Sequence, residues 1–224
     1  MKKLTLIFVL VFAGTAISQR TFDIKDASQY FDVKVKVAKC DDQFCSGRAT
    51  FSFYKKGGTT PYQVITLPDT NIDISDGGPA VNTTMLYDKQ SVIDVGDYNF
   101  DGMEDIALCN GTNGAYGMPS YNVYLSNRAA GKFVYSPALS ELAHGLGMFE
   151  VLKDKKQLET LNKDGCCWHI TERYKVVANR PVKVWEEVED ARGADQSKVK
   201  VTTKELVNGR WKTTVKWVKA EDQL

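Results

Sequence analysis

Nine consecutive residues carry the sharpest chemistry in the chain: Asp97-Tyr98-Asn99-Phe100-Asp101-Gly102-Met103-Glu104-Asp105. Oxygen-bearing side chains stand at loop positions 1, 3, 5 and 9, with a glycine at position 6. Calcium takes roughly six to eight oxygen ligands at about 2.3–2.6 Å. Alternate residues of such a loop turn towards one point, Gly102 permits the bend after the third ligand, and the backbone carbonyl of Met103 serves position 7. Asp97, Asp101 and Asp105 bring the negative charge that favours a divalent cation. The loop is not a full EF-hand, because Leu108 stands at position 12 where that motif has a bidentate Glu. Asp105 matches instead the closing carboxylate of shorter DxNxDGxxD loops. The competing reading is a hairpin turn rich in Asp and Asn. Ligand count and order point to calcium held by Asp97, Asn99, Asp101, Met103 and Asp105. Its expected role is structural: it would lock this turn and so position the next loop. A second stretch, Asp69-Thr70-Asn71-Ile72-Asp73, repeats the 1-3-5 spacing but has Ile74 where the glycine should be; it reads first as a loop, with a second calcium site as the alternative.

That next loop, NGTNGAYGMPSY at 110–121, is long for a hairpin connection, and long loops in compact domains are often binding elements. Tyr116 sits between Ala115 and Gly117, with little core around it. An exposed tyrosine there suits an interface anchor; the alternative is a ring folded onto a neighbour. The candidate partner-contacting residues are Tyr116, Gly114, Gly117, Ser120 and Tyr121.

The elements that must position these loops read as antiparallel β-strands. Period-2 alternation recurs at 31–38, 50–54, 62–67, 91–95, 105–108, 121–125, 132–135, 169–177, 182–188, 198–206 and 211–218. Turn residues separate the runs, and Asn208-Gly209 between two of them is a strong hairpin signal. Only 139–147 looks helical, ending at a glycine. Residues 20–30 read as a loose arm, and 57–61 and 190–198 as long hairpin loops. No domain boundary is visible. The expected fold is all-β, a single propeller-like or sandwich-like antiparallel domain over 19–224 with a calcium loop. The four tryptophans, Trp168, Trp185, Trp211 and Trp217, are all late; core packing is preferred for them over an aromatic ligand platform.

Residues 1–18 read as a secretory signal peptide: a basic Met1-Lys2-Lys3, an apolar run from Leu4 to Ala13, and small residues Ala16 and Ser18 before a cut at Gln19. The apolar run is short for a membrane span. Without it the chain has 27 basic and 28 acidic residues over 206 positions, net −1. That balance argues against a dedicated nucleic-acid binder, and 43% hydrophobic with 25% charged residues excludes wholesale disorder. The expected location is the periplasm or outside the cell, with no membrane insertion after cleavage. In an oxidising compartment cysteines tend to pair, and this chain has five. Cys40 and Cys45 flank a turn and close a small loop. Cys109 is expected to pair with Cys166 or Cys167, leaving one thiol; a vicinal Cys166–Cys167 bridge is the alternative. Only His144 and His169 exist and no zinc spacing is present, so structural disulfides are preferred over catalysis or zinc. Acid pairs such as Glu186/Glu187 or Asp69/Asp73 can be nominated for glycoside hydrolysis, but nothing singles one out, and no enzyme is expected.

The segments VIDVGDYNFDGMEDIAL, GAYGMPSYNVYL, GKFVYSPALSELA and GCCWH together resemble a family of exported bacterial proteins, over roughly residues 85–185. The best understood type is the immunity protein that blocks peptidoglycan-cleaving effectors of bacteria-killing type IV secretion systems. The resemblance implies a periplasmic, calcium-binding, propeller-like β fold similar to inhibitors of invertebrate-type lysozyme. It implies a lysozyme-like hydrolase as protein partner, its cleft blocked by a tyrosine on a calcium-braced loop. Tyr116 is the best placed, with Tyr121 next. A calcium-dependent glycan- or surface-binding module is the competing class.

Overall fold

The computed structural model describes residues 18–83, 90–193, 195 and 197–220. The expected signal peptide lies outside them apart from Ser18, as do residues 194 and 196 of the expected 190–198 loop. The described chain is almost wholly β, in three antiparallel sheets, each built from a continuous stretch of sequence. The first sheet orders β1 (Ser18–Ile24), β2 (Phe31–Cys40), β3 (Phe44–Lys55) and β4 (Gln63–Leu67), with β5 (Asn71–Asp73) also paired to β3. The second runs β6 (Ile93–Gly96), β7 (Asp105–Cys109), β8 (Tyr121–Asn127) and β9 (Lys132–Tyr135). After a short helix, α1 (Pro137–Leu142), come β10 (Glu150–Leu152), β11 (Gln157–Lys163), β12 (Trp168–Val177), β13 (Arg180–Asp190), β14 (Lys198–Val207) and β15 (Arg210–Lys219), a meander of six.

Alternation explains the layering. Successive strand residues point to opposite faces. In β2, Phe31, Val33, Val35 and Val37 are buried while Lys34 and Lys36 face water. β7 departs from this: all five of its residues are buried. Ile106 and Leu108 join a core shared with Val33, Val35, Phe51 and Phe53 of the first sheet. Ala107 and Cys109 join a second core with Tyr121 of β8, Leu139 of α1, Phe149 just before β10 and Leu158 of β11. The second sheet is therefore the middle layer, covered on both faces. Burying one Leu or Ile stabilises by about 1.5–3 kcal/mol.

Several expectations need correcting. Residues 18–24 are a strand rather than a loose arm, laid along β2 from Arg20↔Val37 to Ile24↔Val33. Residues 71–73 form β5, where a loop was expected. β10 and β11 had no expected counterpart. The helix spans Pro137–Leu142, starting and ending earlier than expected. Proline suits its first turn, and Ser140 Oγ donates to the Ser136 carbonyl (2.8 Å) while accepting Val123 N–H (2.8 Å). The Asn208-Gly209 hairpin is present, with φ of 50° and 75°, and Ala178-Asn179 makes a second such turn with φ of 50° and 62°. Both are two-residue turns with positive φ throughout, the pattern that matches strand twist.

The tryptophans are not core residues. Trp211 and Trp217 are exposed on the outermost strand, and Trp168 and Trp185 are half-buried. Trp185 lies under the Arg173 guanidinium, 4.0 Å from the ring centroid. Among the cysteines, Cys40 and Cys45 are bonded as expected. Cys166 and Cys167 bond to each other, and Cys109 is a free, buried thiol. The expected pairing of Cys109 fails because Cys109 points into the interior, its Sγ 3.2 Å from the Asn71 carbonyl. Cys166 and Cys167 instead lie in the surface turn between β11 and β12.

Candidate functional site

The acidic loop joins β6 to β7 and is closed by its own backbone. Asp97 accepts Asp101 N–H at 3.0 Å and Gly102 N–H at 2.9 Å, one on each carboxylate oxygen. Asn99 Oδ1 accepts Asp101 N–H (3.2 Å), and Asp101 Oδ1 accepts Met103 N–H (2.9 Å). Phe100 at φ 62° and Gly102 at φ 84° make the bend, so a phenylalanine shares the work expected of the glycine alone. Asn99 Nδ2 donates to Asp101 Oδ2 (2.9 Å) and to Asn179 Oδ1 (3.0 Å), tying the loop to the β12–β13 turn.

Asp105, the closing residue, is fully buried. Its two oxygens accept Tyr98 N–H (2.9 Å) and Ser126 N–H (2.8 Å). Burial pushes its carboxyl up to about 7; the two N–H groups oppose that rise, and the nearby Asp101 and Asp97 charges add to it. By type and order the donors fit calcium, and a cation would supply the positive charge that these three carboxylates lack among their hydrogen-bond partners. Among the described residues, however, no three His, Cys, Asp or Glu side chains gather as a metal-holding cluster. The carboxylates are turned to the loop's own N–H groups. Asp69 and Asp73 are engaged in the same way. Asp69 accepts the N–H groups of Gly47 and Thr70 at 2.9 Å each, and Asp73 accepts the N–H (2.8 Å) and the hydroxyl (2.6 Å) of Ser75.

The Tyr116 loop lies at the other end of β7. From Asp105, which closes the acidic loop, to Asn110, where this loop begins, is five residues of extended chain, about 17 Å at ~3.4 Å per residue. The two loops therefore do not brace each other directly, as the sequence suggested; β7 joins them. The Tyr116 loop is held by bonds within itself and one to Gly145. Gly114 N–H donates to the Met118 carbonyl (2.9 Å), Ala115 N–H to the Gly145 carbonyl (2.9 Å) and Met118 N–H to the Ala115 carbonyl (3.1 Å). Its base is closed by Asn110 N–H to the Ser120 carbonyl and Ser120 N–H to the Gly111 carbonyl, both 2.9 Å.

Tyr116 is 61% exposed and sits at φ 56°, ψ 26°, a left-handed conformation uncommon for a tyrosine. It is both exposed and in contact with a neighbour. The ring is open to solvent, while its hydroxyl accepts Gly165 N–H at 2.6 Å. The Lys163 ammonium lies 5.0 Å from the ring centroid. Gly117 follows at φ 73°, where an L side chain is strained.

Ser120 and Tyr121 are corrections. Both are fully buried, so they hold the loop from inside and cannot touch a partner. Tyr121 donates its hydroxyl proton to the Ser91 carbonyl (2.9 Å). Ser120 Oγ bonds Asn110 Oδ1 (2.5 Å) and accepts Asn113 N–H (3.2 Å). Gly114 is likewise structural: an added Cβ would lie 2.7 Å from both the Gly145 and the Met118 carbonyl oxygens. The Lys163–Gly165 contribution was missed. Its signal lay in the Gly165-Cys166-Cys167 turn, but the contact joins residues 49 apart in sequence.

The chain is similar to a Xanthomonas type IV secretion system related protein. The shared fold covers 89% of this chain and 97% of that chain, at a TM-score of 0.64 and 26% sequence identity. No protein-family model and no curated protein matches this chain. Among the described residues no helix is long and apolar enough to cross a membrane.

Proposed function

We propose that this chain is an exported immunity protein that inhibits a peptidoglycan hydrolase, acting by insertion of Tyr116 into the enzyme's cleft. The observation that carries the reading is Tyr116 itself. Its aromatic ring stands open at the tip of a loop whose backbone is bonded at both ends and whose hydroxyl is tethered. Such a loop has little conformational freedom left to lose on binding, and pre-organisation of that kind raises affinity. Aromatic anchors of this sort carry most of an interface's energy. The likeness to a type IV secretion system related protein supports the setting. The reading is of a binder without catalysis. Glu186, one of the acids nominated from sequence, is tied to Lys183 and Lys204 at 2.8 and 2.7 Å, and Asp69 and Asp73 are occupied by N–H groups.

Calcium enters the proposal as a structural ion of the β6–β7 turn. Asp97, Asn99, Asp101, the Met103 carbonyl and Asp105 would hold it, neutralising three carboxylates at the entry to the central strand. The test is a peptidoglycan-lysis assay in which residues 19–224 are added to goose-, chicken- and invertebrate-type lysozymes and to bacterial muramidases, with calcium or with a chelator. Inhibition of one class, weakened more than about tenfold by Tyr116→Ala, is the expected result. Full inhibition by the Tyr116→Ala protein removes that residue from the mechanism, and lysis by the protein alone makes it an enzyme.

A further inference from the structure

The turn that tethers Tyr116 is closed by a disulfide between adjacent residues, Cys166 and Cys167. We propose that this turn belongs to the same interaction surface as Tyr116 and that its disulfide–dithiol state sets how firmly Tyr116 is held. The purpose of that surface rests on the inhibitor reading; the clamp itself does not.

The turn is anchored on several sides. Asp164 N–H donates to the Trp168 carbonyl (2.9 Å), closing the β11–β12 connection, and Ala191 N–H donates to the Cys167 carbonyl (2.8 Å). Arg192 reaches Asp164 at 3.4 Å and Asp190 at 2.9 Å, its guanidinium 5.8 Å from the Trp168 ring centroid. Within this frame the bond between neighbouring cysteines closes a small ring through the intervening peptide. That ring fixes the chain immediately after Gly165, whose N–H meets the Tyr116 hydroxyl. Opening it returns rotational freedom to the two side chains and to the peptide between them, next to the tether.

Exposure makes the bond selectively addressable. Cys40 and Cys45 are buried at 1% and 0%, and Cys109 at 0%, so neither the other disulfide nor the free thiol is within reach of a reagent. Cys166 is exposed and Cys167 half-buried. Thiol–disulfide exchange depends on access to the sulfur attacked. A thiolate of a soluble dithiol attacks Cys166 Sγ, forming a mixed disulfide and expelling Cys167 as thiolate, which takes up a proton. The reagent's second thiol, as thiolate, then displaces Cys166 and closes the reagent's own disulfide. The protein gains two electrons and two protons, and the dithiol loses the same. The expected product keeps the Tyr116 loop bonded to Gly145 but leaves its hydroxyl tether loose.

The test uses the whole exported chain, followed by amide hydrogen exchange before and after treatment with a dithiol, with mass spectrometry of alkylated thiols as control. Alkylation is expected at Cys166 and Cys167 alone. Exchange at Gly165 is expected to speed up at least tenfold, while Ala107 in β7 keeps its protection. The Cys166→Ser/Cys167→Ser variant is expected to show the fast rate from the start and to ignore dithiol. Unchanged Gly165 exchange after complete reduction overturns the clamp, as does loosening of Ala107 in step with it. These readouts need no partner, so absence of hydrolase inhibition in either state sinks the inhibitor reading and leaves the clamp standing. Equal inhibition in both states, with Gly165 loosened, overturns the turn's membership of the interaction surface.

Discussion

Gly114→Ala is expected to destabilise the protein by about 2–3 kcal/mol, although position 114 is a partly exposed loop residue. Its φ of −73° and ψ of 172° suit any amino acid, so no torsional penalty applies. Alanine there would even gain roughly 0.4–1 kcal/mol by restricting the unfolded chain. The cost is steric. The new methyl carbon would lie 2.7 Å from two carbonyl oxygens and 3.2 Å from a third, all backbone atoms that cannot swing away like a side-chain tip. Overpacking of this kind costs about 1–3 kcal/mol. Relief means moving Gly145 or Met118, the acceptors for Ala115 and Gly114 N–H, and each bond lost costs about 1 kcal/mol. Urea unfolding of the variant beside the parent measures the difference, and exchange at Gly165 reports whether Tyr116 has moved with the loop. A stability loss below about 0.5 kcal/mol with an unchanged Gly165 rate would refute the packing argument and return Gly114 to the partner-facing residues.

Three further outcomes are expected. Calcium in hundredfold excess over its Kd adds about 2.7 kcal/mol, so thermal unfolding should move up with calcium and back with chelator, and Asp101→Ala should abolish that response; an unmoved midpoint in the parent protein means the loop holds no calcium. Leu108→Ala, in the strand covered on both sides, should cost about 2–5 kcal/mol in denaturant unfolding, and a loss under 1 kcal/mol would contradict the three-layer core. Hydrogen bonds from Lys183 and Lys204 hold the Glu186 carboxyl below its usual 4.5. A lowered folded value stabilises above the ordinary one and is lost as pH falls through the folded value. The two lysines are 36% and 44% exposed, which keeps the effect near 1 kcal/mol. The stability gap between the parent and Glu186→Gln should therefore narrow below pH 4.5, and a gap flat with pH would show that the pairing contributes nothing.

Most of the strands were legible because their alternation is written in β-branched and aromatic residues beside lysines, as in β2 and β14. Those that escaped lack that contrast. β1 has only Phe22 and Ile24 as large apolar residues, and its pairing is imposed by β2. β5 is three residues long and exists because β3 offers it an edge. The tryptophans were misplaced because a strand pattern says which face a residue takes, not whether another layer covers that face, and the third sheet outgrows its cover at β15. In the candidate site the acidic loop and Tyr116 were visible from residue type and spacing. Their separation by the length of β7 was not, since adjacency in sequence looks like adjacency in space until the strand between them is placed. Ser120 and Tyr121 carried the composition of a loop, but their burial depends on Ser91 and Asn110, which no local pattern links to them.

Cys109 gives the molecule a reporter of its own opening. Burial pushes its thiol above the ordinary range, against the opposing hydrogen bonding of the Gly111 and Asn71 backbone and the Thr70 side chain, and it sits in the strand against which both cores pack. A thiol reagent added to the oxidised protein can reach it only when the middle layer parts from its neighbours. The rate of that labelling, compared with the rate for the unfolded chain, reads the population of the opened form without any introduced probe.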